Sequence, residues 1–434
     1  MVIGRVARIF GAGLSALVAV VAVVSTASAQ FIPTPEASIP ERQSVLQRAR
    51  PDYDPLGIQA GSFLVLPSLD LQEWWDSNVY AVPTRPSSDL VTAVVPQLSI
   101  ASDWNNHALN LFVGDQSEFY QKHTTENVNN VTVAAQGRFD ILRDEYIQGG
   151  AGMQLSHEDR ASPDASVNGK YPTQFTVADG NLGFVRNVGI IGASLTGDVQ
   201  SYSYNNNVTN TDVEIPEAYR DYIQYTVTPR ATYEIVPGYH AFIQTPLNER
   251  QYDNGVDPFG FNHSSHGYEG DVGTAINLGA ALNGEVFVGY LRQDYEDRAF
   301  GSPQGLTGGA NLLWNATELT SYRLAVSRVV EEEAAGITAA GTISGSYIET
   351  TGKISVEHEL LRNVVLTASG TYFIDQFSGV NRTDNNFNAY AGAKYLMNRV
   401  LSLGLDANFW HRDSNQPGVN YDREIIGVRL HLQL

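Results

Sequence analysis

The chain has 434 residues, no cysteine, 39 glycines, 22 tyrosines and only 17 % charged residues, yet 47 acids against 27 bases leave a net charge of −20. An acidic excess lacks the basic stripe that phosphate backbones require, so nucleic acid is not an expected partner. The absence of cysteine excludes zinc ribbons, disulfide frameworks and thiol catalysis, and low charge with high glycine and tyrosine leans towards a β-rich protein.

Arg5 and Arg8 precede an apolar run over 10–24, and Ala27-Ser28-Ala29 supplies small residues before Gln30. This three-part pattern predicts a secretory signal peptide at 1–29; the run is shorter than the ~20 residues that span a bilayer. No lipobox cysteine follows, and cleavage would take the net charge from −20 to −22. Beyond Gln30 no apolar stretch is long enough for a transmembrane helix. An exported chain of this kind is periplasmic, secreted or an outer-membrane barrel.

Residues 30–57 carry Pro33, Pro35, Pro40, Pro51 and Pro55 without periodicity. They read as an extended or partly disordered N-terminal segment on the periplasmic side. From Gly61 the texture changes to alternation with period 2, the signature of strands with one apolar face. Residues 58–434 are therefore expected to form one all-β domain.

Strands are predicted at 60–74, 89–103, 106–121, 128–142, 145–160, 172–186, 188–204, 219–235, 238–252, 265–281, 284–298, 304–316, 319–331, 340–358, 362–377, 384–397, 400–412 and 421–434. The alternation is clearest at Ile147–Leu155, Val364–Tyr372 and Leu401–Phe409, where an apolar or small face opposes a polar one. A soluble sandwich would alternate similarly. The connections discriminate better. Short ones, such as Arg143-Asp144, Arg186-Asn187, Pro237-Gly238, Asn283-Gly284 and Asn315-Ala316, alternate strictly with longer ones. This sorting predicts a transmembrane antiparallel β-barrel of about eighteen strands, sixteen being the alternative count, with short periplasmic turns and longer external loops.

Charges agree with a wet interior. Glu118, Arg138, Asp140, Glu158, Asp198, Arg230, Glu234, Arg250, Arg323, Lys353, Glu357, Asp406 and Arg429 fall on the polar parity of their strands, which an apolar core could not accept unpaired. Arg138, Arg230, Arg250, Arg292, Arg323, Lys353 and Arg429 are candidate basic lumen groups, able to guide an anionic polymer. Phe112, Tyr202, Tyr204 and Trp410 are candidate lumen stacking faces. The competing reading pairs the arginines with acids as an ordinary lumen network. Tyrosines and tryptophans near strand ends, such as Trp104, Tyr225, Tyr290, Trp314, Tyr372 and Tyr395, suit interfacial girdles.

His263, His266 and Asp271 could hold a cation, but their spacing fits no standard zinc pattern. Glu331-Glu332-Glu333, with Asp294, Glu296 and Asp297, reads better as a solvated rim than as a divalent-ion site. Nine histidines occur without a nucleophile motif such as G-x-S-x-G. The chain is thus not expected to be an enzyme, and neither metal nor cofactor is implied.

Arg48-Ala49-Arg50-Pro51-Asp52-Tyr53-Asp54-Pro55-Leu56-Gly57, Gly61-Ser62-Phe63-Leu64-Val65-Leu66-Pro67-Ser68 and Asp76-Ser77-Asn78-Val79-Tyr80 resemble the entrance region of the putative β-barrel porin 2 family. Arginine-containing turns, as in Asp140–Arg143 and Leu360–Asn363, are similar too. The resemblance implies a Gram-negative outer membrane, with lipid and lipopolysaccharide around the barrel. It also implies a role in exopolysaccharide export with periplasmic components, for which the N-terminal segment is the candidate contact. The alternatives are a general or selective diffusion porin for small solutes and a structural barrel with a plugged lumen.

Overall fold

The computed structural model describes residues 43–166, 168–337 and 343–434; the predicted signal peptide and residues 30–42 lie outside them. Eighteen antiparallel strands close into a ring. They are β1 (Phe63–Asp76), β2 (Asp89–Ser102), β3 (Ala108–Tyr120), β4 (Val128–Leu142), β5 (Glu145–His157), β6 (Gln174–Val188), β7 (Ile191–Tyr204), β8 (Tyr222–Val236), β9 (Tyr239–Gln244 with Leu247–Tyr252), β10 (Ser265–Asn277), β11 (Leu282–Tyr295), β12 (Gln304–Thr317), β13 (Thr320–Ile337), β14 (Ile343–Leu361), β15 (Val364–Phe377), β16 (Thr383–Leu396), β17 (Leu401–Ser414) and β18 (Tyr421–Gln433). Each pairs with its sequence neighbours, and β1 pairs with β18 from Ser68↔Gln433 to Asp76↔Ile425, which closes the ring. Closure leaves no unpaired edge, as hydrocarbon demands. β9 is broken at Thr245-Pro246, where proline has no N–H for the ladder.

Alternation fixes which side chain meets lipid. Leu403, Leu405, Ile426 and Val428 are exposed on the outer wall, whereas Ser402, Asn408 and Arg423 between them are buried inside. Outward aromatics cluster at two levels. Trp104, Phe139, Tyr233, Trp314 and Tyr395 lie towards the short-turn end, and Trp75, Phe119, Tyr225, Tyr268, Tyr290, Tyr372 and Phe387 towards the long-loop end. Amphipathic rings at both membrane interfaces account for this placement. Tyr204, Tyr252 and Trp410, which also lie near strand ends, point inward.

Three short turns differ from the sequence expectation. Asn187 pairs with Gly192 inside the ladder, and the turn lies at Gly189-Ile190. Asn283 and Gly284 are within β11, the connection being Leu278–Ala281 with Gly279 at φ +61°. Asn315 pairs with Ser321, so the chain reverses at Glu318-Leu319. Asparagine and glycine signal turns because they tolerate left-handed backbone, but inside a polar lumen asparagine also serves as a wall residue.

Candidate functional site in the barrel lumen

Two segments cross the long-loop half of the lumen. The connection 158–173 after β5 carries Asp159 to Arg423 of β18 at 2.9 Å, and its Ala161 packs with Phe373, Trp410 and Tyr421 on β15, β17 and β18. Arg423 also forks onto Asp76 of β1 at 2.6 Å. Burial would raise the Asp159 carboxyl, but Arg423 and the Ala161 N–H hold it below the usual carboxylate range. The second segment is the outer part of the β13–β14 hairpin. The β12–β13 ladder stops at Ala310↔Val326, while β13–β14 continues through Glu332↔Ser346. Freed from β12, Glu332 meets Arg250 of β9 and accepts from the Tyr295 hydroxyl of β11 at 2.8 Å. Glu333 lies 3.8 Å from Arg382 of the β15–β16 loop.

Arg220, in the loop after β7, holds the first of these segments at its start. It pairs with Glu158 at 2.5 Å, Glu217 at 3.3 Å and Asp164 at 3.8 Å, with its guanidinium over the Tyr204 ring. Carboxylates this deep require such partners.

At the short-turn end, residues 43–57 lie along the inner wall. The Val45 N–H donates to Ser321 Oγ and the Leu46 N–H to Glu357, each at 2.9 Å. Arg50 pairs with Glu359 at 3.0 Å, and the Gly57 N–H donates to the Leu434 carbonyl at 3.0 Å. The segment thus runs from β13 and β14 to the end of β18. The Pro-rich stretch was expected to be extended or partly disordered; its described part is docked on the barrel.

The predicted lumen groups can be placed individually. Arg138 projects inward and pairs with Asp140 at 2.7 Å. Arg230 pairs with Glu285 at 2.7 Å and lies over Phe242. Arg250 pairs with Glu332, Arg323 with Glu357 at 3.5 Å, and Arg429 with Asp406 at 3.3 Å. Lys353 is inward and exposed, with no acid in ion-pair range among the described residues. Arg292 requires a correction. It shares parity with Val288 and Tyr290, which are exposed outside, whereas Leu291, Gln293 and Tyr295 are buried inside. It sits at the outer aromatic level with Asp294 at 2.7 Å, where headgroups and water solvate charge. Polarity there marks the interface rather than the lumen.

Phe112 faces inward and folds over Gly114, whose ideal Cβ would come within 2.9 Å of its ring. Tyr202 and Tyr204 are inward but buried in a stack with Phe175, Tyr222 and Tyr252, the Tyr202–Tyr222 centroids being 4.6 Å apart. Trp410 is covered by the crossing loop. Only Phe112 of the four keeps a partly open face. Glu332 and Glu333, read as a solvated rim, instead point inward to Arg250 and Arg382. His263 pairs with Asp257 at 3.2 Å, while Asp271 accepts from Gln244 at 2.9 Å on the wall; the structure does not bring them together with His266 as a cation site. The arginines that meet the crossing segments, Arg220, Arg382 and Arg423, were missed. Arg423 shares the inward parity of Arg429 and was findable; the two loop arginines carried no periodic signal.

A family model described as putative β-barrel porin 2 matches residues 50–434. The chain belongs to that family. No curated protein matches. Among solved structures it is similar to the outer membrane protein opdK from Pseudomonas aeruginosa, at 12 % identity and TM-score 0.41, covering 85 % of this chain and 99 % of that one. It is also similar to OccK2 (OpdF) of Pseudomonas aeruginosa in complex with glucuronate, at 11 % identity and TM-score 0.43, covering 85 % and 98 %. A third similarity is to the siderophore receptor PirA from Pseudomonas aeruginosa, at 8 % identity and TM-score 0.41, covering 89 % and 81 %. Substrates and partners of those proteins do not transfer at this level of likeness. What the family adds is the porin-like barrel as the working unit.

Proposed function

We propose that this member of the family is an outer-membrane channel, shut in the conformation described, that passes an exopolysaccharide outward when the crossing segments move. The observation that carries the reading is the pair of segments anchored by Arg423 and Arg250 across the long-loop half of the lumen. Ion pairs buried across the path narrow it, and they must be broken before a substrate as wide as a polymer can pass. The polar wall, with hydroxyls and side-chain amides on inward parity, suits a hydroxyl-rich substrate. Five of the basic lumen groups are already held by acids, which favours a neutral polymer over one needing a free cationic ladder. Short turns of such barrels face the periplasm, so the docked segment 43–57 would meet periplasmic export components, and the outer girdle would meet lipopolysaccharide.

Deleting the gene should abolish surface polysaccharide while small-solute uptake persists. Unchanged polysaccharide, with slowed solute uptake, would instead identify a diffusion porin.

A further inference from the structure

The connection after β1, the first residue of β2 and the connection after β3 place three side chains in a hydrogen-bonded line at the long-loop rim. Ser87 Oγ is 2.9 Å from His123 Nε2, and His123 Nδ1 is 3.0 Å from Asp89 Oδ2. Asp89 is fully buried, and its carboxylate also accepts the backbone N–H groups of Leu90 at 2.8 Å, Lys122 at 2.9 Å and His123 at 2.8 Å. A carboxylate can only accept, so Nδ1 carries the ring proton and Nε2 presents its lone pair to the Ser87 hydroxyl. Hydroxyl, imidazole and buried carboxylate in this order, with this tautomer, are the parts of an activated nucleophile, recognised by geometry and not by sequence position. The edge of the Tyr80 ring, 5.3 Å from the imidazole, confines it further.

We propose that Ser87, His123 and Asp89 form a hydrolytic triad that cleaves short acyl esters on a polar substrate at the external mouth of the lumen. Ser87 Oγ attacks the ester carbonyl carbon as its proton passes to Nε2. Collapse of the tetrahedral intermediate breaks the bond to the alcohol, which leaves with that proton. Water then attacks the acyl-serine, gives a proton to Nε2, and Ser87 recovers it as the carboxylic acid departs. The peptide N–H groups of Ser87 and Ser88 donate to no acceptor among the described residues and are available to the oxyanion. Substrate class follows from orientation. Asp89 is on the inward parity of β2 with Val91, Ala93 and Val95, and three residues past His123, Glu126 holds Arg160 of the crossing loop at 2.8 Å. The triad therefore belongs to the aqueous mouth, out of reach of long acyl chains in the leaflet.

The test uses the full-length mature barrel folded in detergent, with p-nitrophenyl acetate, p-nitrophenyl palmitate and diisopropyl fluorophosphate as probes. Wild type should hydrolyse the acetate ester, and the fluorophosphate should modify Ser87 as mapped by peptide mass. Ser87→Ala and His123→Ala should lower the acetate rate by about 1,000-fold or more, and His123→Ala should also abolish labelling. Faster migration of unheated protein on electrophoresis shows that each variant has folded. An unmodified Ser87 in folded wild type, or wild-type rates in Ser87→Ala, overturns the triad; preference for the palmitate ester overturns the substrate class. Neither readout depends on polymer passage, so the channel reading stands or falls separately.

Discussion

Arg423 shows how single residues set the state of this lumen. Its guanidinium is buried and shared between Asp76 of β1 and Asp159 of the crossing loop. Arg423→Ala leaves two inward carboxylates facing each other, a loss of about 3–5 kcal/mol for breaking a buried pair, which chemical unfolding in micelles would measure. The same substitution releases the loop and should raise single-channel conductance. Asp159 gives the corresponding pH dependence. Its folded-state affinity for protons is depressed, so its contribution is complete above the ordinary carboxylate value of about 4. It is lost as pH falls through the depressed value. Channel opening on acidification should accordingly be weaker in Asp159→Asn, whose loop is already released at neutral pH. Close packing acts at this scale too. An ideal Cβ at Gly309 would sit 2.5 Å from Phe287 Cε1, so Gly309→Ala should lift that ring from the wall and destabilise the barrel by about 1–3 kcal/mol.

At the scale of strands, parity separates two chemistries on one chain. Leu405 is 55 % exposed on the outer face of β17, so Leu405→Arg places a charge in lipid and should cost about 2–4 kcal/mol. Ser369, inward on β15 opposite Ser355, should accept Arg with a change below about 1 kcal/mol; equal costs in refolding titrations would refute the assignment of faces. Strand positions and their faces were legible because alternation is local and a charge on the lipid face is costly at mid-membrane. Arg292 was misread because its parity competes with chemistry near the rim, where both faces are wet. The turn shifts at Asn187, Asn283 and Asn315 have the same origin: in a polar lumen an asparagine is as much at home in a strand as in a turn.

For the whole molecule, closure creates a cavity, and what fills it decides conduction. The wild-type barrel should insert into planar bilayers with a predominantly closed trace. Removing residues 43–50 takes away the backbone donors to Ser321 and Glu357 and the Arg50–Glu359 pair. That deletion should open the short-turn mouth, and unchanged conductance would assign the resting closure to the external segments alone. Combining it with Arg423→Ala should give the largest conductance, because the two closures act at opposite ends and share no partner.

Sequence alone determined the eighteen strands, the sorting of short and long connections and the side of the wall on which most residues lie, since each rests on local periodicity and on what lipid excludes. Tertiary structure decided the contents of the lumen. Asp159 reaches Arg423 across 264 positions of chain, Arg250 reaches Glu332 across 82, and Ser87 reaches His123 across 36. Such pairings depend on how loops fold back through a closed ring, and no periodic signal in the chain encodes that path. In one dimension the lumen arginines fit either a free cationic ladder or an ion-paired network; in three, five of them are held by acids.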